Sequence, residues 1–151
     1  MTAGSPRATG EGGFAGGAEG LLFGCLLFVV GTLLAANAWA VVDAKLAADA
    51  ASREAARTYV EAPDAAVATA EAVAAARAAI AGYGRAPGRS STSVTGGGFG
   101  RCERITVTVA YAVPLVALPG IQAGRGEVVR AAHSEVVDPY RSGLPGVASC
   151  A

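Results

Sequence analysis

The sequence predicts an α+β fold: a long N-terminal transmembrane helix that continues into a stalk, then a second helix and a small antiparallel sheet of two or three strands. Three observations support this prediction. Residues 20–42 carry no charge, residues 43–83 are alanine-rich with helical spacing, and residues 105–113 alternate between apolar and small or polar side chains. At 151 residues, the chain can form one core in addition to a membrane segment.

These patterns divide the chain into predicted segments. In chain order they are a flexible tail (1–18), a transmembrane helix (19–42), a helical stalk (43–62), a second helix (64–83), a Gly/Ser-rich loop with an edge strand around 91–95 (84–101), a β-hairpin region (102–138) and a C-terminal tail (139–151).

The uncharged run from Gly20 to Val42 predicts the membrane-spanning helix. At about 1.5 Å per residue it is longer than the roughly 30 Å hydrocarbon core of a bilayer, so it can span with some tilt. Its large apolar residues occupy every helical face, whereas a soluble core helix would need a polar face. Trp39 lies near the far end, where interfacial aromatic residues are enriched. Membrane lipid is therefore the first predicted partner.

A cleaved secretion signal is the alternative interpretation of the same run. Two A-x-A motifs follow the apolar stretch, and cleavage after Ala38 or Ala40 would release a small secreted α+β binding domain. Against this, the approach to the run has no net positive charge, because Arg7 is offset by Glu11 and Glu19. The helical pattern also continues past both motifs, without the break that processing requires.

Small residues recur along one face of the apolar helix. Gly20 and Gly24 form a small-x-x-x-small pair, and Gly31 lies on the same face. Such residues let a second helix approach closely, which predicts association with another membrane helix or with a second copy of the chain. The alternative is that glycine is simply frequent, at 21 residues.

Residues 43–62 predict a solvated helical stalk. Charged side chains stand among alanines here, and two pairs of opposite charge are spaced i,i+4: Asp49 with Arg53, and Arg57 with Glu61. Each such pair contributes a few tenths of a kcal/mol to an exposed helix.

Pro63 ends the stalk, because the residue before a proline is pushed out of the helical region. Asp64 favours the start of the second helix, and Gly82 and Gly84 can cap its end. The predicted apolar face of this helix comprises Val67, Ala70, Val73, Ala76 and Ile80.

The periodicity changes from helix to strand at residue 105. Ile105, Val107, Val109, Tyr111 and Val113 form one face of a half-buried strand. Pro114 and Pro119-Gly120 are predicted to turn the chain. The segment "GEVVRAAHSEVVD" then supplies a second strand. Two strands alone are marginal, so a third short strand or the second helix must pack against them.

The cysteines are not equivalent. Cys25 lies inside the apolar run, whereas a bridge between Cys102 and Cys150 would close a long loop and contribute roughly 3–4 kcal/mol on the chain-entropy model. That pair would fit an oxidising compartment. Two unpaired cysteines remain the alternative, since two residues alone do not make a disulfide framework.

We find no catalytic constellation in the sequence. The single histidine, His133, has Ser134 and Glu135 beside it on a predicted strand, where side chains alternate between faces and do not converge. Glycine-rich stretches such as "TGGGFG" lack the phosphate-loop lysine and a dinucleotide fingerprint. The formal net charge of the chain is zero, which gives no indication of a nucleic-acid partner. We therefore predict a non-enzymatic protein with no catalytic residues, cofactor or metal.

With these residues in view, the chain resembles the TadE-like (TadE/TadG) pilus assembly proteins of the actinobacterial kind. The likeness spans nearly the whole chain from Gly12 on. It is carried by Glu19 in "GAEGLLFG", by the helical continuation "ADAASREAARTYVEA" and by "CERITVTVAYAVPL" and "AAHSEVVDPYRSGLPG". The resemblance implies a single-pass minor pilin or pseudopilin of the cytoplasmic membrane, which works with the machinery that builds Flp-type (Tad) pili. The implied partners are other pilin-like or Tad assembly proteins, contacted through the transmembrane helix.

The resemblance also implies a processing site and a role for Glu19. In pilin-like proteins a prepilin peptidase cuts after a glycine, and a glutamate at the fifth mature position pairs with a neighbouring subunit's amino terminus. Cleavage after Gly13 would make Phe14 the first residue and leave Glu19 sixth. The pairing makes physical sense, because a carboxylate at the edge of hydrocarbon is costly unless it meets a cation.

Two arguments about membrane orientation conflict. One basic residue, Arg7, precedes the helix and three follow it closely, Lys45, Arg53 and Arg57, which by the positive-inside rule places the C-terminus in the cytoplasm. The family resemblance and the paired cysteines favour the outside. Because the three basic residues are interleaved with acidic ones on a long domain, we predict that the C-terminal domain is extracytoplasmic.

Overall fold

The computed structural model describes residues 12–115 and 126–150, without the side chains of residues 12–18. The elements in chain order are α1 (Gly12–Glu61), α2 (Ala65–Gly82), a 3₁₀ turn (Pro87–Arg89), β1 (Ser90–Gly96), β2 (Arg104–Ala112) and β3 (Val128–Val136). A long apolar helix, a second helix and a three-stranded antiparallel sheet confirm the predicted α+β class. Internal contacts divide the chain into two units, Met1–Ala36 and Asn37–Ala151.

Helix α1 begins earlier than the sequence predicts. Its first residue is Gly12, inside the segment that we assigned to a flexible tail over 1–18. Extending an existing helix costs far less than nucleating one, so the low propensity of the glycines in this segment, about 1 kcal/mol each, does not prevent it. The helix therefore starts before residue 19, where the predicted transmembrane segment begins, while residues 1–11 lie outside the described part of the chain.

The segment predicted as a solvated stalk is half buried. Its buried residues recur at helical spacing along one face: Ala44, Ala47, Ala48, Ala51, Ser52, Ala55, Ala56, Tyr59 and Ala62. The prediction failed because a stripe made almost wholly of alanine has little hydrophobic contrast with its surroundings. Alanine also lets other elements approach the helix backbone closely, which a stripe of leucines would prevent.

The opposite face of this segment carries the predicted ion pairs. Arg53 lies 2.7 Å from Asp49, and the Nε of Arg57 donates to Glu61 at 3.0 Å. Hydrogen bonding to Glu61 and its negative charge raise the pKa of Arg57. All four side chains are at least 43% exposed, so the pairs add little to stability.

Helix α2 has well-defined ends. The Asp64 carboxylate accepts hydrogen bonds from the backbone nitrogens of Ala66 and Val67, at 2.8 and 3.2 Å, and so caps the first turn. At the other end Gly84 adopts a φ of 70°, and its nitrogen donates to the carbonyl of Ala81. This left-handed conformation is the reason for a glycine after the helix.

The buried face of α2 differs from the predicted one. Its buried residues are Ala68, Ala72, Ala76 and Ile80, spaced four residues apart. Ala76 and Ile80 are confirmed, whereas Ala70 is exposed and Val67 and Val73 are only half buried. The prediction followed the larger valines, but the structure places alanines at the centre of the contact and valines at its edges.

The sheet has the order β1-β2-β3, with both pairs antiparallel. Strand β1 is longer than the edge strand predicted around 91–95 and pairs with β2 along its whole length, Val94 opposite Val107. Gly96 ends it with a φ of 130°, a conformation that a side chain would strain. The predicted turn at Pro119-Gly120 lies outside the described residues.

One hydrophobic core joins these elements. The predicted face of β2 is confirmed, since Ile105, Val107, Val109 and Tyr111 are all buried, as is Val113 just after the strand. Strand β3 adds Val129 and Ala131, and the two helices add their alanine faces. Branched side chains of the sheet therefore fill the space that the alanines of the helices leave.

Candidate functional site

The part of α1 between Glu19 and Ala36 exposes its large apolar side chains. Leu21 is 75% exposed and Phe28 is 74% exposed. The other exposed large apolar residues of this part are Leu22, Phe23, Leu26, Leu27, Val29, Val30 and Leu34. An apolar surface of this extent is typical of segments that contact a membrane or another protein.

Hydropathy identifies the same helix. The stretch Glu19–Glu61 contains a window of mean hydropathy 2.2, none of it buried, which makes it a candidate membrane span or signal sequence. Helix α2 also passes the length and composition test, with mean hydropathy 1.3 and 22% of its window buried. Because α2 contributes its alanine face to the core, α1 is the stronger candidate.

The residues predicted for helix association all lie in the exposed part of α1. Glu19, Gly20, Gly24 and Gly31 are each exposed, and none of the salt bridges between described side chains involves Glu19. A Cβ built on any of the three glycines would find no neighbouring atom within 4 Å. Packing among the described residues therefore does not require these glycines, and their surface is open to a second helix.

The predicted processing residues, Gly13 and Phe14, lie in the first turn of α1. Their backbone is helical, and the side chain of Phe14 lies outside the described atoms. The free cysteine, Cys25, is exposed on the apolar part of the same helix.

A polar site surrounds the first charged residue after the apolar run. Arg85 donates to Asp43 Oδ2 from Nε at 3.0 Å and from Nη2 at 2.5 Å, and Nη2 also donates to the carbonyl of Ala40 at 3.0 Å. The Arg85 side chain is only 13% exposed, and its guanidinium lies 5.4 Å from the ring centre of Tyr111. These contacts fix the α2–β1 connection to α1 just beyond Val42.

A cavity of about 380 Å³ opens at this site. Its lining residues are Asp43, Tyr83, Gly84, Arg85, Ala86, Arg89, Tyr111 and Pro114. Two arginines and one aspartate are among these residues, so the formal charge of the lining is positive.

A second arginine fixes the end of α1. Arg141 donates from Nη1 to the carbonyl of Val60 at 2.6 Å and from Nη2 to that of Ala62. Its guanidinium also stacks over Phe99, 5.3 Å from the ring centre, and Phe99 packs edge-on against Tyr59. Carbonyls at a helix C-terminus lack partners within the helix, and a cation there also complements the helix dipole.

A disulfide joins Cys102 and Cys150, with a Cα–Cα distance of 5.2 Å and a sequence separation of 48. It ties the segment predicted as a C-terminal tail to the start of β2. Hydrogen bonds from the Arg101 nitrogen to the carbonyl of Pro145, at 2.8 Å, and from Arg101 Nε to the carbonyl of Arg141 add to this attachment. The segment that contains Arg141 is therefore held covalently and by hydrogen bonds.

The histidine has one partner that sequence reasoning missed. His133 Nε2 lies 3.1 Å from Glu135 Oε1, because residues two apart on a strand share a face and only adjacent ones alternate. Both side chains are over a third exposed, at 36% and 41%. Among the residues that the structure describes, no group of three His, Cys, Asp or Glu side chains is arranged to hold a metal.

Sequence reasoning also missed the roles of Arg85 and Arg141. Neither residue belongs to a periodic pattern, because both stand in irregular segments after a glycine or a proline-containing turn. The only available indication was that each is an arginine close to a helix end, where exposed carbonyls accept hydrogen bonds.

Comparison of the chain with protein-family models, with curated proteins and with solved structures finds no match.

Proposed function

We propose that this chain is a single-pass membrane protein of the minor pilin or pseudopilin kind, a non-catalytic component of Flp-type (Tad) pilus assembly or secretion. One observation carries the proposal: a single helix, Gly12–Glu61, exposes large apolar side chains in its first part and supplies the core of an α+β domain in its second. The same helix thus serves as the membrane segment and as the central element of the domain.

The apolar part of α1 has the chemistry of a transmembrane segment. No charged residue stands between Glu19 and Asp43, and a helix satisfies its own backbone hydrogen bonds, as hydrocarbon requires. Each exposed Leu or Phe contributes roughly −0.3 to −0.6 kcal/mol to insertion, whereas the same side chains in water favour aggregation. We therefore place the protein in the cytoplasmic membrane, with lipid as its first partner.

The disulfide supports an extracytoplasmic location for the C-terminal domain. Disulfides persist in oxidising compartments and are rare in the bacterial cytosol. The basic residues that argue for the opposite orientation are also partly neutralised, since Arg53 and Arg57 each pair with an acidic residue one turn away. A reporter fused after Ala151 that is active only in the cytoplasm would overturn this orientation.

The glycine face is the proposed contact with other pilin-like helices or with a second copy. Gly20, Gly24 and Gly31 offer close backbone approach. Glu19 stands at the polar end of the apolar run, where an amino terminus of a neighbouring subunit would neutralise it. Substituting Gly24→Leu should reduce crosslinking in membranes. Ala36→Leu is the matched control, because its position lies about 120° away around the helix at 100° per residue.

Equal crosslinking of the wild type and the Gly24→Leu variant would reject the glycine face. An intact mass beginning at the original N-terminus, allowing for loss of Met1, would exclude cleavage after Gly13 and leave the anchor unaffected. Both measurements use the full chain extracted from membranes.

The alternative is a secreted binding domain released after Ala38 or Ala40. One observation favours it, since the buried residues of the domain begin only at Ala44 and would survive either cleavage. Against it, cleavage after Ala40 would remove the carbonyl to which Arg85 donates. Fractionation decides: we expect the protein to resist alkaline carbonate extraction, whereas a soluble product lacking the apolar helix would establish the alternative.

A further inference from the structure

We propose that the cavity beside Asp43 binds the phosphate group of an anionic membrane lipid. This inference rests on the proposed membrane location, because the cavity surrounds the first charged residue after the apolar run. It concerns a site in the domain, separate from the glycine face of the helix.

The cavity has more hydrogen-bond donors than the chain satisfies. Arg85 uses Nε and Nη2 for Asp43 and Ala40, while its Nη1 has no partner among the described residues. The hydroxyl of Tyr111 and the guanidinium of Arg89 also lack a partner in the described part of the chain. No fully buried side-chain nitrogen or oxygen among the described residues is without a partner, so the free groups of Arg85 and Tyr111, two residues that line the cavity, retain contact with solvent.

The charge of the lining fits one phosphodiester. Arg85 and Arg89 carry two positive charges and Asp43 carries one negative charge, which leaves one positive charge. A lipid phosphodiester carries one negative charge and offers two oxygens. The planar guanidinium of Arg89 can bind them in a bidentate manner, and Nη1 of Arg85 can add a further donor. At about 380 Å³, the cavity lies within the size range of small-ligand sites.

Its surroundings favour a lipid over a soluble phosphate. Trp39 is 72% exposed four residues before Asp43, and Tyr83 on the cavity wall is 48% exposed. Exposed Trp and Tyr side chains concentrate at the level of lipid head groups. A phosphate seated on Arg85 and Arg89 would therefore lie at the depth where head groups are found.

The test uses the full-length protein in a neutral detergent and native mass spectrometry of retained lipid. The probes are phosphatidylglycerol, a diacylglycerol with the same acyl chains, and soluble glycerol 3-phosphate as competitor. We expect phosphatidylglycerol to be retained, diacylglycerol not to be retained, and glycerol 3-phosphate to compete only at far higher concentration. Arg89→Gln should weaken retention roughly fivefold to tenfold. Tyr111→Phe should also weaken it while keeping the buried ring.

Arg77→Gln is the matched control, because Arg77 is exposed on α2 and does not line the cavity. An equal loss in Arg77→Gln and Arg89→Gln would mean general surface attraction and would overturn the site. Equally strong competition by glycerol 3-phosphate would reject the lipid and assign the cavity to a soluble phosphate. If the protein is released from membranes only by detergent but retains no phosphatidylglycerol, this inference alone is refuted. If the protein is soluble without detergent, the proposed function is refuted.

Discussion

Between Glu19 and Ala36, helix α1 turns leucines and phenylalanines outward, while between Ala44 and Ala62 the same helix buries alanines. In the first part, side chains such as Leu21 are three-quarters exposed; in the second, residues such as Ala51 are wholly buried. The larger hydrophobic residues are thus the exposed ones. The comparison teaches that side-chain hydrophobicity alone does not assign a helix to a core. The exposed first part has a surface typical of segments that contact a membrane or another protein, whereas the second part packs against elements that approach it closely.

The largest expected effect comes from placing charge in the apolar part. The double substitution Leu27→Arg and Val30→Arg should cost about 5–7 kcal/mol of insertion free energy, from roughly 2.5–3.5 kcal/mol for each arginine. We expect the protein to lose resistance to carbonate extraction. The control is Leu46→Arg with Val147→Arg, which adds the same charge at exposed sites beyond Asp43. If both double variants remain in the membrane, the apolar part of α1 is not the anchor.

Removal of the disulfide should give the next largest effect. Replacing Cys102 and Cys150 with serine should lower the free energy of unfolding by about 3–4 kcal/mol on the chain-entropy model. The segment with Arg141 would then lose its fixed position at the carbonyls of Val60 and Ala62. Thermal unfolding followed by circular dichroism checks this, and membrane extraction should not change. An unfolding temperature equal to that of the wild type would show that the disulfide does not stabilise the domain.

Overpacking the alanine face should give a smaller effect. Ala51→Leu adds bulk at a fully buried position and should destabilise the domain by about 1–3 kcal/mol. Ala74→Leu, on the exposed side of α2, is the matched control and should change stability little. Urea unfolding of both variants measures the difference. Equal urea midpoints for Ala51→Leu and Ala74→Leu would contradict the close packing of other elements against the alanine face of α1.

The smallest effect is expected at the exposed ion pair of Arg57 and Glu61. Because Glu61 raises the pKa of Arg57 in the folded chain, the associated stability is fully present below the unfolded pKa and is lost only as pH rises through the folded pKa. Both pKa values of Arg57, in the folded and in the unfolded chain, lie at strongly alkaline pH. Arg57→Gln should therefore leave the unfolding temperature nearly unchanged from mildly acidic to mildly alkaline pH, and a clear pH-dependent difference would show that Arg57 has another partner.

The sequence by itself determined the features that depend on strong local contrast. The uncharged run, the alternating face from Ile105 to Val113, and the helix boundary at Pro63 and Asp64 each follow from hydrophobicity or backbone chemistry within a few residues. These features establish the α+β class and a candidate membrane span or signal sequence.

Only the tertiary structure decided which alanines are buried and where the arginines bind. An alanine stripe has almost no hydrophobic contrast with alanine neighbours, so the burial of Ala48 and Ala68 depends on which elements come to lie over them. The contacts of Arg85 with Asp43 and of Arg141 with Val60 join residues that are 42 and 81 positions apart. No local pattern contains such pairs, because long side chains select their acceptors only after the core has brought the segments together.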